Sequence, residues 1–175
     1  GVHKIYETDT GRSTVRVLMH GTTIHGAQLI DGAPLSQRGR PVGVTYFGPQ
    51  SPMAKLFDAV KRKKDGPVRV AVVGLGTGTV ACYLRAEDSL DFYEIDPAVV
   101  KIALDPQKFT FVSGCKPDAN VIVGDARLTL ADAPDGHYDL IVMDAFTSDA
   151  VPVHLLTQEA VALYKRKLAP GGLVG

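Results

Sequence analysis

Three glycines at positions 74, 76 and 78 and three acids at 94, 125 and 144 are the residues of this chain whose types and spacing could do chemistry. Gly74, Gly76 and Gly78 stand in VVGLGTGTV, directly after an apolar run, where a strand must turn into a helix. Without side chains the backbone can bend tightly there, and a ligand can come close to the N–H groups of the turn, Thr77 included. Twenty residues beyond Gly74, the run LDFYEI delivers Glu94, where an acid accepts hydrogen bonds from both hydroxyls of a ribose. Turn and acid together point to an adenosine-type ligand, against the plainer reading of a tight strand-to-helix turn with nothing bound. The dinucleotide pattern GxGxxG wants its third glycine at 79, where Thr79 stands, so that match fails by one place. A further acid favours a different ligand. VIVGDA ends on Asp125 and Ala126, where a carboxylate or backbone group can take an adenine amino group; Asp125 can also cap the helix ARLTLAD, and the two roles are compatible. Glycine turn, ribose acid and adenine acid in that order favour S-adenosylmethionine or a relative of it.

These residues need parallel strands to carry them. VRVAVV, LDFYEI, NVIVG and YDLIVM are short β-branched runs with little polar alternation, as strands buried on both faces read. Helical pieces near 78–86, 97–104, 125–132 and 157–168 lie between and after them, and such alternation implies right-handed crossovers onto a parallel sheet. Asp144 then stands at the carboxyl end of the fourth strand beside the glycine turn, the switch point where open parallel sheets hold ligands. Its other reading is a cap for the turn AFTSD; Asp149 reads equally as a further catalytic acid, which with Asp144 and Glu94 would suit a cationic acceptor, or as a cap before VPVHLL. Upstream, VHKIYE, STVRVLMH and IHGAQLI read as a small antiparallel sheet in residues 1–50, and Ser51-Pro52 starts a helix with Met53, Leu56, Phe57 and Val60 on one face. Residues 51–175 form the second unit, and GGLVG begins a further strand at the end of the chain, so further C-terminal strands are expected to be missing. The unpaired edge this would leave favours a homodimer or a trimmed flexible remainder.

Composition narrows the partners. Nineteen basic and nineteen acidic residues cancel, so no global field draws the chain to nucleic acid or an anionic membrane, and a small-molecule partner is expected. The run Lys61–Lys64 fits the last turn of a helix, where cations complement the macrodipole. Cys82 and Cys115 have no zinc-like spacing and read as buried thiols in a reducing, cytoplasmic setting. No apolar run reaches the length of a membrane span. His20 and His25 read as strand-surface residues, because no set of four ligands can be assembled around them and no metal is expected. His3, His137 and His154 look incidental, and Tyr46 and Phe47 read equally as core aromatics or as an apolar wall for a ligand.

GLGTG, YEIDP, GDAR and MDAFTSD in that order resemble the spermidine synthase family of polyamine aminopropyltransferases, and HGTTIHGAQ and TYFGP resemble its bacterial spermidine-synthase-like branch. The resemblance spans nearly the whole chain. It implies an α/β fold, a methyltransferase-like Rossmann sheet preceded by a small β domain, and transfer of an aminopropyl group from decarboxylated S-adenosylmethionine to an amine. It makes Glu94 the ribose ligand, Asp125 the adenine ligand and Asp144 the general base, and it sets Gln28 and Tyr46 near the donor and the acceptor amine, with His25 at the edge of the acceptor pocket. Members of the branch are often fused to membrane segments, which leaves a membrane part of the full-length protein open. Two departures bear on the donor and acceptor. Thr77 stands where the family's GGGDG turn carries an acid facing the donor's amino group, and DAFTSD holds Asp144 and Asp149 five apart where DSSD holds its acids three apart. An amine acceptor arrives protonated at about pKa 10, so it needs a base such as Asp144 before it can attack a sulfonium donor. Two alternatives stand beside the aminopropyltransferase: an S-adenosylmethionine-dependent methyltransferase, and a nucleoside-binding domain of a membrane protein without turnover.

Overall fold

The structure is a computed structural model and describes residues 2–30, 41, 44, 47–48, 50–146 and 151–175. Tyr46 and Asp149 lie outside the described residues. Strands β1 (His3–Asp9), β2 (Thr14–His20) and β3 (Thr23–Ile30) form an antiparallel sheet in the order β1-β2-β3. Leu18, Ala27 and Ile30 are buried, while β1 is exposed along almost its whole length. Helix α1 (Pro52–Lys63) starts where Ser51 and Pro52 predict, with the Ser51 hydroxyl accepting from the Ala54 N–H at 3.1 Å. Its Ala54, Phe57 and Val60 are buried, and Lys61, Arg62 and Lys63 fill the last turn. The basic run is engaged: Lys61 donates to the Tyr83 carbonyl, and Lys64 reaches Asp139 at 2.6 Å.

The second sheet has five strands, β4 (Arg69–Val73), β5 (Ser89–Glu94), β6 (Asn120–Val123), β7 (Tyr138–Met143) and β8 (Leu168–Val174), in the order β6-β5-β4-β7-β8 with every pair parallel. Alternate residues feed two cores. Val70, Val72, Phe92, Leu140 and Val142 pack on the side of α1, while Ala71, Val73, Tyr93 and Ile141 pack on the side of α5 (Gln158–Lys167) with Leu163 and Tyr164. Both faces of the central strands β4, β5 and β7 are covered, which is why these strands lack polar alternation. Helices α2 (Pro97–Ala103) and α4 (Ala126–Thr129) follow β5 and β6 and are capped by Asp96 and Asp125, whose carboxylates accept from the N–H groups of Ala98 and Arg127. The chain is thus an α/β protein with a Rossmann-like, methyltransferase-like sheet preceded by a small antiparallel one. Among the described residues no helix is long and apolar enough to cross a membrane.

The segment after the glycine turn departs from the expected helix. Thr79–Tyr83 is a 3-10 turn, closed by hydrogen bonds from Ala81 to Gly78 and from Leu84 to Ala81. The short helix α3 (Phe111–Cys115), which apolar periodicity does not announce, packs against it. The two cysteines correct the reading of free thiols: Cys82 and Cys115 form a disulfide between the 3-10 turn and the end of α3, with Cα atoms 4.9 Å apart. No spacing rule relates two cysteines 33 residues apart; only the packing of α3 on the turn makes them neighbours.

Candidate active site

At the carboxyl ends of β4, β5, β6 and β7 the sheet opens into a cavity of about 520 Å³, a size suited to a nucleoside-sized ligand. The chain leaves β4 in one direction through β5 and β6 and in the other through β7 and β8, so the cavity lies at the switch point of the sheet. Gly74, Gly76, Glu94, Asp125, Ala126 and Asp144 line it, as their positions predict. The strand tips are locked together by the Gly74 N–H on the Tyr93 carbonyl and the Asp144 N–H on the Val73 carbonyl, both at 2.8 Å.

Glu94 is buried, and both its oxygens already accept backbone hydrogen bonds, Oε2 from Leu75 and Oε1 from Asp96, each at 2.9 Å. Each oxygen keeps a second lone pair for a ligand hydroxyl. The carboxylate is therefore fixed in place before any ligand arrives. Asp125 Oδ1 accepts from Arg127 at 2.9 Å, which leaves Oδ2 with no hydrogen-bond partner among the described residues. Burial, and after it the charge of Glu94, pushes the Asp144 carboxyl up to about 7. A carboxyl that changes charge near neutrality on a cavity floor is suited to proton transfer.

Gly74 and Gly76 also answer to close packing. A Cβ on Gly74 would stand 2.6 Å from the Asp144 carbonyl oxygen, and one on Gly76 would stand 2.4 Å from the His25 carbonyl oxygen. Both also have positive φ, 99° and 55°. The turn is bare because β7 and β3 press against it, and the case for a ligand rests on the cavity and its acids. Gly74→Ala is expected to cost about 1–3 kcal/mol of stability, read by chemical denaturation, and to displace the Asp144 main chain; a loss below about 0.5 kcal/mol would contradict this packing.

Three residues of the expected ligand set stand elsewhere. Thr77 is buried with its hydroxyl 2.9 Å from that of Thr79, and its side chain lies under Gly26 of β3, outside the cavity lining. Gly78 faces Val112 of α3, where a Cβ would come within 2.4 Å of the Val112 side chain. Gln28 is buried and ties β3 to the segment before α3, donating to the Thr110 hydroxyl at 2.5 Å and accepting from the Thr110 N–H at 2.9 Å. Phe47 is a core residue, packed in the cluster on the α1 side.

The histidines move the other way. His3, His20, His25 and His154 all line the cavity, so His3 and His154 are not incidental and His20 and His25 are more than strand surface. His3 stands opposite His20 in the β1–β2 register, and their rings stack with centroids 4.6 Å apart. His25 completes the cluster at 6.4 Å from His3 and 6.0 Å from His20. The readable signal was the pairing: once TDTGR is accepted as the turn between β1 and β2, His3 falls beside His20. Among the described residues no group of three or more His, Cys, Asp or Glu is arranged to hold a metal ion.

No family model matches the chain. The polyamine aminopropyltransferase of Vibrio vulnificus (strain CMCP6) is 36% identical over 115 residues, which make up 62% of this chain and 36% of that protein. Spermidine synthase 2 of Arabidopsis thaliana is 31% identical over 111 residues, 62% of this chain and 33% of that one. The chain therefore spans about a third of the length of the curated relatives it matches. Among solved structures, a probable spermidine synthase from Corynebacterium glutamicum ATCC 13032 superposes with a TM-score of 0.61 at 20% identity, over 99% of this chain and 63% of that one. A spermidine synthase in complex with the transition state analogue AdoDATO superposes with a TM-score of 0.58 at 14% identity, over 97% of this chain and 56% of that one. In sequence over the matched stretch, and in fold over nearly its whole length, the chain resembles the spermidine synthase family of polyamine aminopropyltransferases.

Proposed function

We propose that the chain is a transferase that moves an aminopropyl group from decarboxylated S-adenosylmethionine to a small amine, with Asp144 as the base. The observation that carries this reading is the Asp144 carboxyl, raised to about 7 on the floor of a nucleoside-sized cavity whose neighbouring strand tips bear Glu94 and Asp125. Glu94 would hold the ribose and Asp125, with Ala126, the adenine. The donor's sulfonium already carries its leaving group, so the chain's work is to orient the amine, exclude water and take one proton. Removing that proton from an ammonium of pKa about 10 costs about 4 kcal/mol with a base near 7, against about 8 kcal/mol with an ordinary aspartate. The sequence relatives named polyamine aminopropyltransferase and spermidine synthase support the same chemistry.

The test is incubation of the chain with decarboxylated S-adenosylmethionine and a panel of amines, with mass spectrometry of the products. Methylthioadenosine and an amine heavier by one aminopropyl group are expected; no product with any amine would contradict the proposal. Turnover should rise with pH through about 7, because only ionised Asp144 accepts the proton, and then level off. A rate independent of pH from 6 to 8 would remove Asp144 from the chemistry.

A methyltransferase is the second reading, favoured by Thr77: its burial under Gly26 leaves the turn with no carboxylate to hold the ammonium of a decarboxylated donor. Transfer of a methyl group from S-adenosylmethionine in the same assay would select it. As to compartment, the Cys82–Cys115 disulfide favours an oxidising setting over the cytoplasm.

A further inference from the structure

The wall of the cavity contributed by β1, β2 and β3 carries imidazoles. His3 is held by Asp96, its Nε2 3.5 Å from Oδ2, and the His3 side chain is only 11% exposed. The ring nitrogens of His20 and His25 have no hydrogen-bond partner among the described residues, although both side chains are half-buried and line the cavity. Half-buried polar atoms without protein partners that face a cavity call for a ligand or water to complete them. The His25 carbonyl rests on Gly76, so this cluster stands next to the glycine turn.

We infer that the His3–His20–His25 cluster is a carboxylate-binding subsite of the cavity. The inference rests on the proposed function, in that it names the charge at the remote end of that reaction's substrates. Among the described residues no lysine or arginine lines the cavity, and these imidazoles with His154 are the basic side chains described there. The acids nearby have other duties: Asp96 faces His3 and caps α2, Glu94 accepts two backbone N–H groups, and Asp125 caps α4. At the cluster itself a remote ammonium would meet imidazoles, and Asp96, the carboxylate seated there, is already engaged by His3 and the Ala98 N–H. A carboxylate, in contrast, accepts charge-assisted hydrogen bonds from imidazoles. His25 is held below the usual imidazole range, by burial first and then by His20 and His3. An anion among the three rings relieves that repulsion. Two groups can bring the carboxylate: an acid function on the acceptor amine of the proposed transfer, or, in the methyltransferase reading, the methionine end of S-adenosylmethionine.

Titration calorimetry on the chain separates them with two matched pairs. The first is S-adenosylmethionine against its decarboxylated form; the second, in saturating methylthioadenosine, is γ-aminobutyrate against putrescine. In one pair the carboxylate-bearing member is expected to bind about tenfold more tightly or better, and that pair identifies the source. His20→Ala should abolish the preference and His20→Asn, which keeps an N–H donor, should restore part of it, with methylthioadenosine binding as the control for folding. Equal binding within both pairs, tighter binding of the decarboxylated donor and of putrescine, or a preference that survives His20→Ala would overturn the subsite. If methylthioadenosine fails to bind while a carboxylate preference remains, the proposed function falls and the subsite stands; if it binds without any preference, only the subsite falls.

Discussion

Asp144→Asn is expected to lower the turnover of the proposed transfer by about 10²–10⁴-fold while leaving methylthioadenosine binding within about twofold of the parent chain. Asparagine keeps the size and the backbone contacts, including the N–H on the Val73 carbonyl, and removes only the group that takes the proton. Stability should move in the opposite direction. The Asp144 carboxyl is raised from 3.8 to about 7, so its contribution to folding is complete below about pH 4 and is lost as pH rises through about 7. The asparagine variant does not ionise and escapes that loss. Thermal melting at pH 8 should therefore show Asp144→Asn at least as stable as the parent. A variant that turns over normally, or one less stable than the parent at pH 8, would contradict the assignment.

Breaking the disulfide has the second large effect. Cys82 and Cys115 close a loop of 33 residues that runs from the 3-10 turn through β5 and α2 to α3. The chain-entropy estimate for a loop of that length is about 3–4 kcal/mol. Cys82→Ser, or treatment with reductant, should lower the melting temperature by about 10 °C. Donor binding should weaken as well, because the linked segments flank the glycine turn: Val112 of α3 packs on Gly78, and Thr110 just before α3 is bonded to Gln28 of β3. Identical melting with and without reductant would mean that the bond does not form in solution.

The parallel sheet was legible because its strands are buried on both faces, so that VRVAVV and YDLIVM could be little else between turn residues. The acids at its tips were legible for the same reason, since a charged residue that ends a dry strand must leave the core at the ligand edge. What could not be read depends on contacts across the two sheets. Whether Thr77 faces a ligand or the core is decided by Gly26, which is distant in sequence and presses on it. The glycine pattern was read as a cradle, yet Gly74 and Gly76 also answer to the close approach of Asp144 and His25. Helix α3, at five residues, is too short to show a period, and the cysteine pairing was hidden with it. The histidine cluster needed three strands in register before it existed at all.

The central claim is that carboxylates on adjoining strand tips hold an adenosine moiety, and a crystal structure of the chain with methylthioadenosine tests it directly. The ribose hydroxyls are expected on Glu94 and the purine beside Asp125 and Ala126, with Asp144 facing the thioether. A nucleoside found away from these tips, or within the cavity but with its sugar out of reach of Glu94, would contradict it.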